Sequence, residues 1–170
     1  NRHRYYASPV VNSQDSNELK QITAQNAANN PECRTRIASE LGLRRSFDIL
    51  NSIPGLGEAS AFAIVADMPE LGALENKQAA SLAGLAPVDR QSGLWKGKSF
   101  IRGGRQTLRQ ELYMPALVAT RFNQPLKAKY ENLRAGGKPA KVAITAIMRK
   151  LIVLANAPIR DDRKWSPSLP

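Results

Sequence analysis

Apolar residues recur at helical spacing along most of the chain, and this pattern predicts a mainly α fold. The predicted helices cover residues 15–29 (a weak helix), 31–53, a stretch that begins near Glu58, and then 76–83, 107–122, 125–135 and 140–156. The last of these helices is the most apolar, so we expect it to form the core. The segment that begins at Pro158 is expected to be loose.

Proline and glycine modify this pattern at particular positions. Pro115 falls inside the apolar stripe of 107–122 and predicts a kink, because proline lacks the N–H that the helix needs. Thr107 is expected to cap the same helix. Gly42 weakens the middle of the predicted helix 31–53.

A Pro-Gly-Leu-Gly turn, Pro54–Gly57, joins two of the predicted helices. Gly55 and Gly57 let the backbone turn tightly and approach another surface closely. The N–H groups at the start of the following helix form a site for an anion such as phosphate. This is the pattern of a helix-hairpin-helix, which grips a nucleic-acid backbone without reading bases. A helical hairpin whose glycines serve only close packing has the same pattern, and the sequence leaves both interpretations open.

The least regular segment is Ala86–Gly104, which is rich in glycine and basic residues and lies between two predicted helices. An irregular loop with so many hydrogen-bond donors is more often functional than a spacer. The loop also contains the aromatic residues Trp95 and Phe100. Its sequence is compatible with a short β-hairpin that turns near Lys96 and Gly97.

The positive charge is concentrated in the second half of the chain. Residues 1–85 contain 8 Lys/Arg and 9 Asp/Glu, whereas residues 86–170 contain 17 and 5, and the net charge of the whole chain is +11. A polyanionic partner is the simplest explanation, because each phosphate that is neutralised releases counterions. A basic surface kept for solubility is the alternative. Binding to a membrane surface is less favoured, because no single basic amphipathic helix dominates.

The cysteine content and the hydropathy indicate where the protein acts. Cys33 is the only cysteine, which excludes an intrachain disulfide and favours a reducing compartment. We expect a cytoplasmic protein, and the family resemblance described below implies in addition that it is bacterial and associates with the nucleoid. No stretch is expected to span a membrane, since the best candidate, Val142–Ala157, is interrupted by Arg149 and Lys150.

The common catalytic signatures are absent from the sequence, which has no Gly-Lys-Ser/Thr phosphate loop, no cysteine pair and a single histidine, His3. What remains is Ser92 in the cationic, glycine-rich loop. The basic residues that follow it are Lys96, Lys98, Arg102, Arg105 and Arg109. A serine there can attack a phosphodiester if its proton is removed and the developing charge is stabilised. It can also position a phosphate, which is the commoner role of loop serines, and the residues alone leave both roles open.

Nine segments, taken together and in order, resemble one known family. They are Ser52–Gly57, Ala83–Pro87, Ser92–Lys98, Ile101–Arg105, Leu108–Arg109, Tyr113–Ala119, Pro125–Arg134, Gly136–Pro139 and Met148–Leu151. The set resembles the C-terminal domain of the bridge-RNA-guided insertion-sequence transposases. The resemblance runs from about Leu50 to Arg160 and is specific as a set, although each segment is weak alone.

This resemblance implies a domain organisation. In the family, an N-terminal RuvC-like domain with four acidic metal ligands (DEDD) precedes a coiled coil and then the serine-bearing domain. Residues 1–49 would be a helical arm that corresponds to the coiled coil, residues 50–160 the transposase C-terminal domain, and residues 161–170 a loose tail. The family's four carboxylates have no counterpart here, so no cofactor is expected in this chain and Mg²⁺ is expected in the missing N-terminal domain.

The resemblance also implies roles for residues. It places the nucleophile at Ser92, which would attack DNA and form a transient phosphoserine link. Arg102, Arg105 and Arg109 would hold phosphate or guide RNA. The implied partners are DNA, a structured guide RNA and, since the family recombines as an oligomer, further copies of the protein. This chain alone would bind nucleic acid but would not recombine it.

Two other interpretations of the sequence are kept. One is a non-catalytic helix-hairpin-helix module that grips DNA through Pro54–Gly57 and the basic half of the chain. In that case Ser92→Ala should change the affinity for nucleic acid only slightly. In a recombinase the same substitution should abolish strand exchange and leave binding intact. The other is a structural α-domain with incidental charge, which would show no steep salt dependence of nucleic-acid affinity.

Overall fold

The computed structural model describes residues 31, 35, 39–89, 91–92, 95–96 and 99–166. The chain divides into two compact units, residues 1–41 and 42–170. Most of the helical arm predicted for residues 1–49, and with it any coiled coil, lies outside the described residues. Within the first unit, Thr35 is helical and its hydroxyl donates a hydrogen bond to the carbonyl of Pro31 at 2.8 Å.

The second unit is built mainly from helices, which confirms the predicted fold class. The helices are α1 Leu41–Asn51, α2 Glu58–Asp67, α3 Asn76–Leu82, α4 Gln106–Glu111, α5 Tyr113–Phe122, α6 Gln124–Ala135 and α7 Ala140–Arg160. The predicted starts at Glu58 and Asn76 are confirmed, as is the end of α6 at Ala135. At the start of α6, the Asn123 side chain accepts a hydrogen bond from the Leu126 N–H at 3.3 Å, as an N-cap residue does.

Helix α7 forms the centre of the core and packs against α3, α5 and α6. Its buried apolar side chains recur every three or four residues, so one face of the helix is continuously apolar. They are Ala143, Ile144, Ile147, Met148, Leu151, Ile152 and Ala155. Burial of each large aliphatic side chain stabilises the fold by about 1.5–3 kcal/mol, and the prediction that this helix is the core is confirmed.

A buried polar residue fixes α7 to the segment before α3. The Asn156 side chain accepts a hydrogen bond from the Gly72 N–H at 2.8 Å and donates one to the Leu74 carbonyl at 2.8 Å. A buried amide must find such partners, because an unpaired polar group in the core costs about 1–3 kcal/mol. Asn156 therefore determines how the start of α3 is placed on α7.

Helix α7 also corrects an expectation about membrane spans. Ala140–Arg160 is long enough and apolar enough to cross a membrane by length and composition, with a mean hydropathy of 1.6 in its best window. The core helix of a globular protein meets the same criterion, and half of that window is buried inside the protein. The expectation that no stretch qualifies was wrong, and the burial agrees with the core role.

Three predicted helix boundaries differ from the structure. The helix predicted from residue 107 to residue 122 is divided at Leu112, because Pro115 cannot donate to the Glu111 carbonyl, at which α4 ends. Thr107 lies inside α4 and does not cap it; Arg105 occupies the N-cap position without a capping side-chain bond. Glu40 is not helical, so the predicted helix 31–53 is interrupted immediately before α1.

The segment after Pro158 is ordered further than the sequence predicts. Helix α7 continues through Pro158 to Arg160. Beyond it, the Arg45 guanidinium pairs with the Asp162 carboxylate at 2.7 Å, and the Trp165 N–H donates to the Ser52 hydroxyl at 2.9 Å. These contacts with α1 and the turn after it hold residues 161–166, so the expectation of a loose segment is corrected as far as residue 166.

Candidate active-site hairpin

The predicted β-hairpin forms, but its turn is displaced. Its strands are β1 Pro87–Val88, β2 Gln91–Ser92, β3 Trp95–Lys96 and β4 Phe100–Ile101. Strand β1 pairs with β4 and β2 pairs with β3, both antiparallel. Ser92 faces Trp95 in the ladder, so residues 93–94 connect the two strands instead of the predicted Lys96 and Gly97.

The two strand pairs are out of register with each other by one residue. On the entering side of the hairpin, two residues lie between the paired positions Val88 and Gln91. On the leaving side, three residues lie between Lys96 and Phe100. One extra residue on one of two paired strands is what defines a β-bulge. Beside this offset, the Ser99 hydroxyl donates a short hydrogen bond to the Asp89 carboxylate.

The base of the hairpin is closed by two glycines in direct contact. Gly84 and Gly104 both have φ of +66°, in the left-handed region that glycine adopts without strain. A Cβ on Gly104 would overlap the backbone of Gly84 and would approach the Leu82 carbonyl oxygen to 2.6 Å. The Arg105 N–H donates to that same carbonyl at 2.7 Å. The chain entering the hairpin and the chain leaving it are therefore held together by their backbones.

Arg109, in α4, binds both chain segments at the base of the hairpin. Its guanidinium donates to the Gly103 carbonyl at 2.8 Å and to the Gly84 carbonyl at 3.3 Å. One side chain thus joins the two segments that flank the hairpin. The planar guanidinium suits this task because its N–H groups are held in a rigid fork.

Arg105 is bound to the protein as well. It pairs with the carboxylate of Glu70 at 2.6 Å, and the hydrogen bond from Arg105 holds the pKa of Glu70 below its usual value. The Nη1 atom of Arg105 is buried and has no hydrogen-bond partner among the described residues. At the end of α4, burial raises the pKa of the Glu111 carboxyl, and the charge of Asp67 raises it further. The charge of Asp67 also acts on Arg105, whose pKa is raised chiefly by its hydrogen bond to Glu70. Arg105 therefore lies in acidic surroundings.

The remaining residues predicted for the serine loop are placed in part. Arg102 follows β4 directly and is exposed. For Ser92 and Lys96 the structure gives the backbone in β2 and β3, and their side chains, like the whole of Lys98, lie outside the described residues. The roles proposed for these three side chains stay predictions.

The turn Pro54–Gly57 packs against α5. Gly55 has φ of +108°, and a Cβ on it would come within 2.6 Å of the Ala119 Cβ, so close helix packing is what this position requires. Gly57 faces open space and precedes α2. The first turn of α2 contains Glu58, a carboxylate that opposes binding of phosphate at the same N-terminus.

A metal site is not formed within this part of the chain. In the ranges that the structure describes, no three His, Cys, Asp or Glu side chains gather where they would hold a metal ion. The resemblance implies Mg²⁺ in the N-terminal domain and not in these residues, so no chemical step at this hairpin is assigned to it.

A sequence profile described as "Transposase IS116/IS110/IS902 family" matches residues 47–131, which is half of the chain and includes the entire hairpin with Gly84, Gly104, Arg105 and Arg109. The chain belongs to this transposase family. The match ends within α6, so α7 lies beyond it.

Individual relatives of the transposase family agree with this assignment. The chain is 35% identical over 130 residues to the pilin gene-inverting proteins of Moraxella lacunata and Moraxella bovis, covering 74% of this chain and 40% of each relative. It is 32% identical over 130 residues to the "Insertion element IS900 uncharacterized 42 kDa protein" of Mycobacterium paratuberculosis, covering 73% of this chain and 32% of that protein. The chain thus spans two-fifths or less of the length of these curated relatives.

Sequence reasoning missed two features of this transposase domain. The contact of Gly84 with Gly104 had only a weak signal in the sequence. Gly84 follows α3, and the pair Gly103-Gly104 precedes α4. Arg149 and Lys150 were considered as interruptions of an apolar helix and as part of the family resemblance, and their place beside Lys77 and Lys129 was not anticipated.

Proposed function

We propose that this chain is the part of an insertion-sequence DNA transposase that supplies Ser92 as the nucleophile for strand cleavage and exchange. The observation that carries the proposal is the family match over residues 47–131, which contains the serine hairpin together with the contacts that close its base. A hairpin fixed at both ends by its backbone is a suitable support for a nucleophile, since strand attack depends on constant geometry.

In the proposed reaction, the hydroxyl oxygen of Ser92 attacks the phosphorus of a DNA phosphodiester, and the bond from phosphorus to the leaving deoxyribose oxygen breaks. The serine proton is transferred, through a base or solvent, to the leaving oxygen. A phosphoserine ester and a free DNA hydroxyl result. A hydroxyl of the second DNA strand then attacks the same phosphorus, takes over the phosphoryl group and releases the serine. One phosphodiester is formed for each one broken.

The cations near the hairpin divide into two roles in this proposal. Arg102 is exposed beside β4, and together with Lys96 and Lys98 it is assigned to the DNA phosphates or guide RNA. Arg105 and Arg109 already bind groups of the protein itself. They are assigned to holding the hairpin in place.

The partners of the full-length protein follow from the family. A transposase acts on DNA, and two relatives carry the name pilin gene-inverting protein. We infer that the full-length protein rearranges DNA at sites chosen through a structured guide RNA, as an oligomer, with Mg²⁺ bound in an N-terminal domain. Membership in the family indicates the cytoplasm, and association with the nucleoid is part of the proposal.

The alternative of a helix-hairpin-helix module has less support. The conformational need of Gly55 is explained by its packing on Ala119, and the first turn of α2 contains the acidic residue Glu58. Only Gly57 keeps the open position that such a module needs. We therefore favour the serine-bearing transposase domain over the module.

The proposal is tested by replacing Ser92 in the full-length protein that carries this chain. We expect Ser92→Ala to lower strand exchange by a factor of about 10³ or more, because no other hydroxyl occupies that position, and to leave the affinity for DNA unchanged. Strand exchange is measured by amplification of recombined junctions, and affinity by fluorescence anisotropy with labelled target DNA.

Ser99→Ala is the matched control, since it removes a hydroxyl from the same hairpin. It deletes the hydrogen bond to Asp89 but should retain most of the exchange activity. Strand exchange that survives Ser92→Ala would overturn the nucleophile assignment. A loss of affinity as large as the loss of exchange would assign Ser92 to phosphate binding instead.

A further inference from the structure

A groove lined by cations lies between α3, α6 and α7. It has a volume of about 410 Å³, and its positively charged side chains are Lys77, Lys129, Arg149 and Lys150. Leu133, Ala146 and Val153 form its apolar surface. No carboxylate lines this groove among the described residues. We call it the basic groove.

The cations of the basic groove differ from Arg105 and Arg109 in having no partner among the residues that the structure describes. Within the described ranges, none of Lys77, Arg149 and Lys150 makes an ion pair or a side-chain hydrogen bond, and Lys77 and Lys150 are exposed. Like charges gathered around a concave surface repel one another and raise the local concentration of anions. The positive charge of the groove is therefore available to bind an anionic ligand.

A second cavity of about 120 Å³ continues the basic groove along α7 and shares Asn76, Lys150 and Val153 with it. It ends at Arg163 and Trp165. The Trp165 N–H is fixed by the Ser52 hydroxyl at 2.9 Å, which holds the backbone that carries the indole. An indole beside a row of cations is a surface on which a nucleic-acid base can stack.

The length of this surface excludes a single small anion as its natural ligand. From Ala146 to Ala157 the face of α7 runs for about 16 Å at 1.5 Å per residue. This length corresponds to about four or five nucleotides of a stacked strand at 3.4 Å per phosphate. Cations along the groove and an aromatic side chain at its end match the phosphates and bases of such a strand.

We propose that the basic groove binds an unpaired nucleic-acid strand, with phosphates on Lys77, Lys129, Arg149 and Lys150 and a base stacked on Trp165. This site lies outside the serine hairpin and rests on the proposed function only in assuming a nucleic-acid substrate. The shared chemistry of DNA and RNA, a phosphodiester backbone with stacking bases, is what the groove recognises.

The test compares the whole chain with the double variant Arg149→Gln/Lys150→Gln, by fluorescence anisotropy over a series of salt concentrations. The probes are a labelled twelve-nucleotide DNA, the RNA of the same sequence, and the DNA duplex. We expect the double variant to bind single strands at least tenfold more weakly. Its salt slope should be smaller by about 1.4, or 0.7 for each phosphate that the protein no longer neutralises. Trp165→Leu should weaken single-strand binding about five- to tenfold, and Trp165→Phe should weaken it less.

The matched control is Arg121→Gln/Lys141→Gln, which removes the same charge from exposed positions outside the groove. It should change single-strand affinity by less than about twofold. Equal losses in the two double variants, no loss in the groove variant, or a loss confined to the duplex would overturn the proposal. A selective loss with DNA, with RNA or with both supports it and identifies the strand that is bound.

The outcome is separable from the proposed role of Ser92. If the groove variant binds normally while Ser92→Ala abolishes strand exchange, the groove assignment fails and the nucleophile assignment stands. If the groove variant loses single-strand binding while Ser92→Ala retains exchange, the reverse is true.

Discussion

Cations at the base of the serine hairpin and cations in the basic groove carry the same charge but have different roles. Arg105 binds Glu70 and Arg109 binds two backbone carbonyls, so part of each guanidinium is engaged by the fold. Arg149 and Lys150 have no such partners within the described residues. The comparison teaches that a basic residue that follows a candidate nucleophile in the sequence does not for that reason bind the substrate. Its existing partners decide how much of it is available.

The largest effect that we expect on the hairpin base comes from Gly104→Ala. The added methyl group would overlap the backbone of Gly84, and alanine at φ of +66° adds about 1–2 kcal/mol of strain. We expect a loss of about 3 kcal/mol or more in the free energy of unfolding, since overpacking adds its own cost. Urea denaturation followed by circular dichroism measures this loss.

Gly103→Ala is the control for that substitution. Gly103 has nearly the same φ, +71°, but a Cβ there would meet no atom within 4 Å. It should lose only the strain contribution of about 1–2 kcal/mol. Equal losses at Gly103 and Gly104 would mean that the crossing with Gly84 is not tight, and the hairpin base would then not be a rigid support for Ser92.

An intermediate effect is expected for Arg109→Met, which leaves the carbonyls of Gly84 and Gly103 without their donor. The free energy of unfolding should fall by about 1–2 kcal/mol, with little change in single-strand affinity or its salt slope. The groove variant Arg149→Gln/Lys150→Gln should show the opposite behaviour. Urea denaturation and anisotropy on both proteins provide the comparison.

The result at Arg109 distinguishes its two candidate roles. A variant that keeps its stability but binds nucleic acid more weakly would restore the phosphate-binding role that the resemblance implies. Arg109→Lys is an informative intermediate, because an ammonium group keeps the charge but lacks the planar Nη1 group that donates to both carbonyls.

The smallest effects concern two carboxyls, those of Glu70 and Glu111, whose pKa values shift in opposite directions. The pKa of Glu70 is lowered by Arg105, so this pair stabilises the fold above the unfolded-state pKa and the contribution is lost as pH falls through the folded-state pKa. Glu70→Gln should therefore cost about 0.5–1 kcal/mol at pH 7, as exposed pairs do, and progressively less at acid pH, as the carboxyl of the folded protein becomes protonated.

Glu111→Gln should show the reverse pH dependence. Burial raises the pKa of Glu111, so ionisation destabilises the folded state as pH rises through that value. The substitution should be neutral at acid pH and stabilising at pH 7. Urea denaturation at the two pH values tests both substitutions, and parallel changes in the two variants would contradict the opposite shifts.

Local patterns in the sequence were sufficient for much of the helical fold. The apolar stripe of α7 and the starts of α2 and α3 follow from periodicity and turn residues, which are properties of neighbouring positions. The partners of Arg105 and Arg109 were not predictable, because Glu70 and Gly84 are 35 and 25 residues away and meet them only through tertiary packing. For the same reason Gly55 could not be assigned to packing until Ala119 was seen beside it.

The candidate site was predicted in part. Ser92 was selected from the composition of its loop and from a resemblance, and its backbone lies in the hairpin next to the two-residue connection. The basic groove was not predicted, because its cations come from α3, α6 and α7, which are far apart in sequence. A count of positive charge identified the half of the chain that carries most of them but not the surface on which they meet.

The fastening of residues 161–166 to α1 has a consequence for how this unit can be joined to other sequences. Arg45 near its beginning and Asp162 near its end are in direct contact, and Trp165 is bonded to Ser52. Both ends of the helical unit therefore leave from one corner. A unit whose two ends lie close together can be inserted into a longer protein, because the two ends of the interrupted host chain then stay close to each other. The contacts of residues 161–166 with α1 and the turn after it therefore suit this transposase unit to insertion into a longer chain.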